Sequence, residues 1–393
     1  MLTKRSADRV SRLRRRISLI LLVPALGVLA FQLLTLRGGF STAAMLSAAG
    51  RADLVVPDGF AASVFASGLA GPRLITFGPG GLLYVAEAYA NRIAVLHDRN
   101  GDGTAEATSI FASDLPSVHS VVWHDGALYA GVPTGVIELR DKNGDGKADA
   151  RKVLIDNYPT DGHSTRTVLF LPDGRMLVSV GSSCNVCKES DPRRAAIVAY
   201  DGPSAMGEKV FAKGLRNAVG LALHPVTGEL WATCNERDWL GDDLPPDTVR
   251  IVTEGSDNGW PRCDAGTISD PDFGADTGCS GVPGPAVLLQ AHSAPLGLAF
   301  YTGTSFPPEY RGDLFVAFHG SWNRSVPTGY KVVRIHISGG KPEGAAQDFA
   351  TGFAIADQSR ILGRPVGVAV GPDGALYVSD DKGGFIYRIA YIR

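Results

Sequence analysis

Three arginines, three histidines and an asparagine stand at one recurring place in this 393-residue sequence. They are Arg73 in PRLITFGPGG, His119 in VHSVVWHDG, His163 in GHSTRTVLFLPDG, Arg216 with Asn217 in LRNAVGLALHP, His292 in AHSAPLGLAFYTG and Arg364 in GRPVGVAVGPDG. In each phrase a polar or cationic residue leads, apolar residues follow, and a turn closes. A guanidinium fork matches the two oxygens of a carboxylate or phosphate. Imidazole can take a proton near neutral pH. Brought together in a partly dry place, such cations need an anion to neutralise them. A small flat polycarboxylate with a base beside it would satisfy the set. No GxGxxG following a strand and no Walker sequence occurs, so a nucleotide fold is not supported.

Other residues could hold a metal or form bridges. DRNGDGTAE (98–106) and DKNGDGKAD (141–149) carry side-chain oxygens at positions 1, 3 and 5, glycine at 6 and an acid at 9, without the glutamate at 12 of a full calcium loop. The same spacing suits a turn between two strands, and both readings stay open. Cys263 and Cys279 flank a loop rich in Asp, Gly and Pro and are expected to bridge. Cys184 and Cys187 form C-N-V-C, compatible with a tight disulfide, a redox pair or half a zinc site, and Cys234 is left over. No second CxxC accompanies that pair, which argues against structural zinc.

The elements that must position these residues repeat. A Gly or Asp-Gly turn followed by an apolar strand occurs six times, with leading leucines at Leu83, Leu128, Leu177, Leu230, Leu314 and Leu376. Gaps of 45, 49, 53, 84 and 62 residues separate them. A period near 45 fits a four-stranded propeller blade, and the longer gaps imply inserts, the largest between Arg237 and His292. No convincing amphipathic helix follows residue 52. The fold expected is all-β, a six-bladed β-propeller with an N-terminal hydrophobic helix; a β-sandwich need not repeat such a phrase. In a propeller the innermost strands surround the channel, so equivalent positions of six blades converge at one mouth.

The chain resembles the soluble pyrroloquinoline-quinone (PQQ) sugar dehydrogenases, and among them the L-sorbosone-dehydrogenase-like branch. The phrases that carry the resemblance include GHSTR (162–166), GSSCNVC (181–187), GLRNAVGLALHPVTGELWAT (214–233), NERDWLGDDLPPD (235–247), DNGWPRC (257–263), HGSWNR (319–324) and GRPVGVAVGPDGALYVSDD (363–381), spread over about residues 52 to 390. The resemblance implies that His163 is the base that takes a proton from the substrate hydroxyl while hydride passes to the quinone. It implies that Arg216 and Asn217 contact the quinone and stabilise charge developing on its oxygen. Arg364 matches an arginine that binds a cofactor carboxylate. Arg324, preferred for its charge over neighbouring Asn323, matches a basic anchor, and His119 matches a polar contact to the cofactor. A calcium ion held partly by main-chain carbonyls is implied at Glu236 and Arg237, where the family often has Gly-Pro.

Net charge is −2, but residues 1 to 37 carry +7, leaving −9 on the remainder. A mildly acidic body offers no electrostatic footprint for nucleic acid. Four segments are expected: a basic cytoplasmic terminus (1–16), an uncharged apolar stretch (17–36) long enough to span a bilayer, a linker (37–51) and the propeller (52–393). This implies a periplasmic body, anchored to the inner membrane or secreted if the segment is a cleaved signal. The expected substrate is a small sugar or sugar-derived aldehyde, and a membrane quinone or small cytochrome is a compatible electron acceptor. A calcium-dependent lactonase, with Glu87 and Asp380 as extra oxygen ligands, is the enzymatic alternative. A membrane-tethered binding propeller without catalysis is the other.

Overall fold

Each of the six leading leucines lies in a strand that is buried from end to end: Leu83–Glu87, Ala127–Val132, Met176–Val180, Leu230–Cys234, Leu314–Phe318 and Leu376–Asp380. Strict alternation is absent there because both faces of the sheet are covered by neighbouring blades, so both rows of side chains leave water. The computed structural model describes residues 51–392. The basic terminus, the apolar segment expected to be a helix, and all but the last residue of the linker lie outside them. Among the described residues there is no α-helix, and no helix is long and apolar enough to cross a membrane.

Six antiparallel four-stranded sheets form the blades. Blades 1, 2 and 3 run through residues 72–112, 120–155 and 168–213, each in simple up-and-down order. In blade 4 (218–288) the long expected insert falls in two places. One loop, 235–247, joins the second and third strands. The other, 253–286, precedes the outermost strand and contains the two-residue pairing of Cys263–Asp264 with Ile268–Ser269 and the bridge Cys263–Cys279. Blade 5 (295–350) carries a small hairpin before its last strand. Blade 6 takes three strands from residues 365–391, and its outermost strand, Phe60–Ala66, comes from near the start of the described chain. Pairing of Phe60 with Tyr391 and Ser63 with Arg388 closes the ring by joining the start of the described chain to its last blade. Phe60 then sits edge-on to Phe306, Phe349 and Tyr391, in a cluster shared between blades 5 and 6.

The innermost strands determine the site. In blades 1, 4, 5 and 6 their pairing slips between Pro72 and Ile75, Ala218 and Leu221, Pro295 and Leu298, and Pro365 and Val368. A bulge of this kind bends a strand and re-aims its first side chains. Glycine follows in three of them. A Cβ on Gly220 would stand 2.2 Å from the carbonyl oxygen of Leu296, and one on Gly297 2.6 Å from that of Val366. Glycine therefore lets the inner strands of adjacent blades approach backbone to side. Leu74, Val219, Leu296 and Val366 meet where they converge and close the channel with an apolar floor.

Candidate active site

Above that floor lies a cavity of about 240 Å³, lined by Arg73, His163, Thr165, Arg216, Asn217, Val219, Asn235, Glu236, Asp238, Asp247, His292, Leu296, His319, Trp322, Asn323 and Arg364, among others. Two kinds of segment supply it. The entries to the inner strands bring Arg73, His163, Arg216, Asn217, His292 and Arg364. The loops leaving the second strands of blades 4 and 5 bring Asn235 to Asp238 and His319 to Asn323. Entry and exit lie side by side because the first two strands of a blade are antiparallel.

His163 is fixed by Ser182. Its Nδ1 lies 3.0 Å from the Ser182 carbonyl oxygen and 3.0 Å from the Ser182 Oγ. A carbonyl can only accept, so Nδ1 carries the proton and Nε2 keeps a free lone pair. Burial first, then the Arg216 guanidinium, lower the His163 pKa to about 4. The ring is therefore neutral at physiological pH and can only accept a proton at Nε2.

The arginines are less free than the sequence suggests. Arg216 donates from Nε to the Asn185 carbonyl (2.9 Å), from Nη1 to the carbonyls of Glu236 (2.6 Å) and Asn235 (3.3 Å), and from Nη2 to Asn185 Oδ1 (2.9 Å) and Asp238 Oδ2 (2.8 Å). That accounts for five N–H groups, so Arg216 offers the cavity its charge rather than a spare donor. Arg73 pairs with Asp381 at 2.5 Å. Arg364 donates to the carbonyls of His319 (3.0 Å) and Gly320 (2.9 Å) and faces the Tyr330 ring, and it has no carboxylate partner among the described residues. The cationic ring is thus neutralised at two of its three arginines, with Arg364 left for an incoming anion.

Three expected site residues stand elsewhere. His119 is 2% exposed and lies behind Arg73, whose Nε points at its Nδ1 from 3.3 Å; it does not line the cavity. Arg324 turns outward, bonded to the Asp242 carbonyl and paired with Asp243 at 3.1 Å, while Asn323 faces the cavity. The Asp242 carbonyl and the Asp243 carboxylate of the 235–247 loop hold the arginine there. Arg237 is buried against Asp270 and Asp272 and is not among the lining residues. The Glu236 side chain turns to Arg250 and Thr248, and its carbonyl reaches the cavity side, where Arg216 holds it.

The calcium segment expected from the sequence, 235–238, already contains Asp238, whereas Asp247, His319 and Asp381 were not singled out. Asp238 accepts from Arg216 and from Asn323 Nδ2 at 2.7 Å. Asp247 accepts from the backbone N–H groups of Glu236 and Ala294, and burial raises its pKa to about 7. His319 Nε2 lies 3.0 Å from both Asp381 oxygens. Burial nonetheless outweighs that attraction and lowers His319 to about 4. Burial alone would raise Asp381, but the His319 bond and Arg73 hold it at about 2. HGSWNR and SDD were both visible as phrases, yet only the fold places them together.

Two residues of the lining carry an orphaned acceptor: Asn217 Oδ1 and Asn323 Oδ1 are buried without a hydrogen-bond partner. A buried oxygen without a partner calls for an explanation, and a bound ligand or ion beside it is one. Arg364, these two amides and the apolar floor suit a flat anionic group. The Asn235 and Glu236 carbonyls with the Asp238 and Asp247 carboxylates are hard oxygen donors of the kind calcium takes. By contrast Glu87 is enclosed by Arg92 and the Ala70 N–H, and Asp380 accepts from three backbone N–H groups; neither lines the cavity. The loops 98–106 and 141–149 sit at outer hairpins, where Asp98 and Asp141 accept backbone N–H bonds from the glycines.

Fold and cavity together define a six-bladed propeller with a polar, base-bearing funnel at one mouth. The family model described as TrAA12-like matches residues 54–254 and 266–391, and the chain belongs to that family. It is 26% identical to a pyrroloquinoline quinone-dependent sugar dehydrogenase of Hypocrea jecorina, over 85% of this chain and 88% of that one. It is 36% identical to an uncharacterized protein of Borreliella burgdorferi over 56% of this chain, spanning only 58% of that relative. Its fold matches the holo form of the pyranose dehydrogenase PQQ domain from Coprinopsis cinerea with a TM-score of 0.74 at 23% identity, over 87% of this chain and 98% of that one.

Proposed function

We propose that this chain is a PQQ-dependent dehydrogenase that oxidises a small sugar or a sugar-derived aldehyde of the sorbosone kind. The observation that carries the reading is the neutral His163, its Nε2 free at a cavity with one uncompensated arginine and two orphaned amide oxygens. Its 26% identity to a PQQ-dependent sugar dehydrogenase over 85% of the chain supports it. Bound PQQ would supply the two-electron acceptor that no side chain provides.

The chain's own residues do the rest. His163 Nε2 takes the proton from the substrate hydroxyl, or from the hydrate of an aldehyde, as hydride leaves the same carbon. The proton is held on a ring whose Nδ1–H is already committed to Ser182, so the base keeps its aim. Arg216 stabilises negative charge that develops nearby, and Asn217 presents its amide beside it. Arg364 holds a carboxylate of the cofactor, and Asn323 takes the place given to Arg324. A calcium ion would be held by the Asn235 and Glu236 carbonyls with Asp238, sharing these oxygens with Arg216, and would supply Lewis-acid polarisation of a quinone oxygen. The apolar floor of Val219 and Leu296 excludes water from beneath the reacting groups.

The body works outside the cytoplasm, passing electrons to a membrane quinone or a small cytochrome. Two disulfides suit an oxidising compartment, and protease added to spheroplasts should degrade the protein if that placement is right. The functional test is reduction of an artificial dye by the purified protein with a panel of aldoses, polyols and aldehydes. Reduction should require both added PQQ and calcium. Hydrolysis of a lactone with calcium alone would instead favour the hydrolase reading.

A further inference from the structure

The C-N-V-C segment lies against the groups just given roles. Cys184 and Cys187 are joined, which closes a small loop around Asn185 and Val186. Asn185 presents two acceptors to Arg216: its carbonyl takes Nε at 2.9 Å and its Oδ1 takes Nη2 at 2.9 Å. The pair mimics the two oxygens of a carboxylate, in the fork geometry a guanidinium prefers. The same Oδ1 accepts the Asp238 N–H at 2.7 Å, and Asn185 Nδ2 donates to the Asp238 carbonyl at 3.0 Å. One neutral residue therefore holds both members of the Arg216–Asp238 pair. At the other side of the bridge, Ser182 Oγ donates to the Cys184 carbonyl at 2.7 Å, and the same oxygen lies 3.0 Å from His163 Nδ1.

We propose that the Cys184–Cys187 bridge and the Asn185 it encloses form a clamp that positions Arg216, and through Ser182 positions His163, for catalysis. This rests on the dehydrogenase reading for the word catalysis, while the clamp itself rests on geometry. Asn185 is a positioning residue, since it acts through Arg216 and Asp238. Without the bridge, the backbone around Asn185 regains the freedom that loop closure removes. Both acceptors would then drift from Arg216 together. Both cysteines are half-buried residues, and a dithiol is the reagent that would open their bridge. It opens the S–S bond to two thiols and becomes its own cyclic disulfide.

The test compares the full-length wild type with Cys184→Ser/Cys187→Ser, Asn185→Ala and Asn185→Asp. Asn185→Asp keeps both acceptors for Arg216. Turnover of a panel of aldoses, polyols and aldehydes with PQQ, calcium and a dye is measured alongside an NMR titration of His163 in the cofactor-free protein. The clamp predicts that the serine pair and Asn185→Ala lose about 10²-fold in kcat, the scale of an ångström-sized misplacement, with KM little changed. It also predicts that His163 titrates above the wild-type value of about 4 in both, because the Arg216 charge has moved away, and that Asn185→Asp recovers most of kcat. Wild-type kcat per folded molecule and an unmoved His163 titration, with only thermal stability lowered, would overturn the clamp. If the serine pair does not fold, Asn185→Ala decides alone. If the wild type turns over nothing, the dehydrogenase reading fails, and the His163 titration still judges the clamp.

Discussion

At neutral pH the His163 ring is uncharged, because burial and Arg216 hold its pKa at about 4. A base that is already deprotonated loses nothing as pH falls from about 7 to about 5. Turnover should therefore stay level over that range and fall only as pH approaches about 4, where protonation removes the Nε2 lone pair. His163→Ala should lose at least about 10²-fold in kcat while quinone uptake is kept; an unchanged rate would remove the residue from the mechanism. Two arginines separate by position. Arg364→Ala should weaken quinone uptake about 10-fold or more, the scale of one charge-assisted bond. Arg324→Ala should leave uptake near wild type, because that side chain is engaged with the 235–247 loop. Equal loss in both would return Arg324 to the site. The seven polar residues at the six strand entries were legible in sequence because a repeat makes equivalent positions visible. Their partners were not, since Asp381 meets Arg73 across 308 residues. Such contacts exist only once the blades are closed into a ring.

Elements explain why those entries aim inward. Pairing slips at the start of four inner strands, and glycine follows where the next blade's backbone approaches. The recurring turn and its leucine could be read directly, since each leads a strand buried on both faces. The site-forming inserts could not, because loops 235–247 and 253–286 have no period and were seen only as one long gap. The disulfide Cys263–Cys279 was legible from its flanking loop, and C-N-V-C admitted several readings until the fold showed its bridge. Ring closure also lay beyond pattern reading, as Phe60–Ala66 carries no turn phrase yet completes blade 6. Phe60→Ala should cost about 3–5 kcal/mol, the usual range for a buried aromatic, and lower the thermal midpoint with the blade intact elsewhere. A loss below about 1 kcal/mol would mean the closing strand is held by backbone pairing alone.

At the scale of the whole molecule, six blades bring charges from every quarter of the chain to one funnel and largely balance them there. Arg216 meets Asp238, Arg73 meets Asp381, and Arg364 remains. Asn217 and Asn323 carry amide oxygens without partners there, and burial raises the Asp247 carboxyl to about 7. A bound cation beside the acids and a bound anion beside Arg364 would relieve both. The central claim is therefore a joint one, that PQQ and calcium enter this funnel together. Its most direct test is titration of the purified, metal-stripped protein with PQQ, with and without calcium, followed by quinone absorbance. Saturable binding at one site per chain, strengthened by calcium and weakened in Arg364→Ala, is the predicted result. No saturable binding under either condition would contradict the claim and leave the propeller without its proposed cofactor.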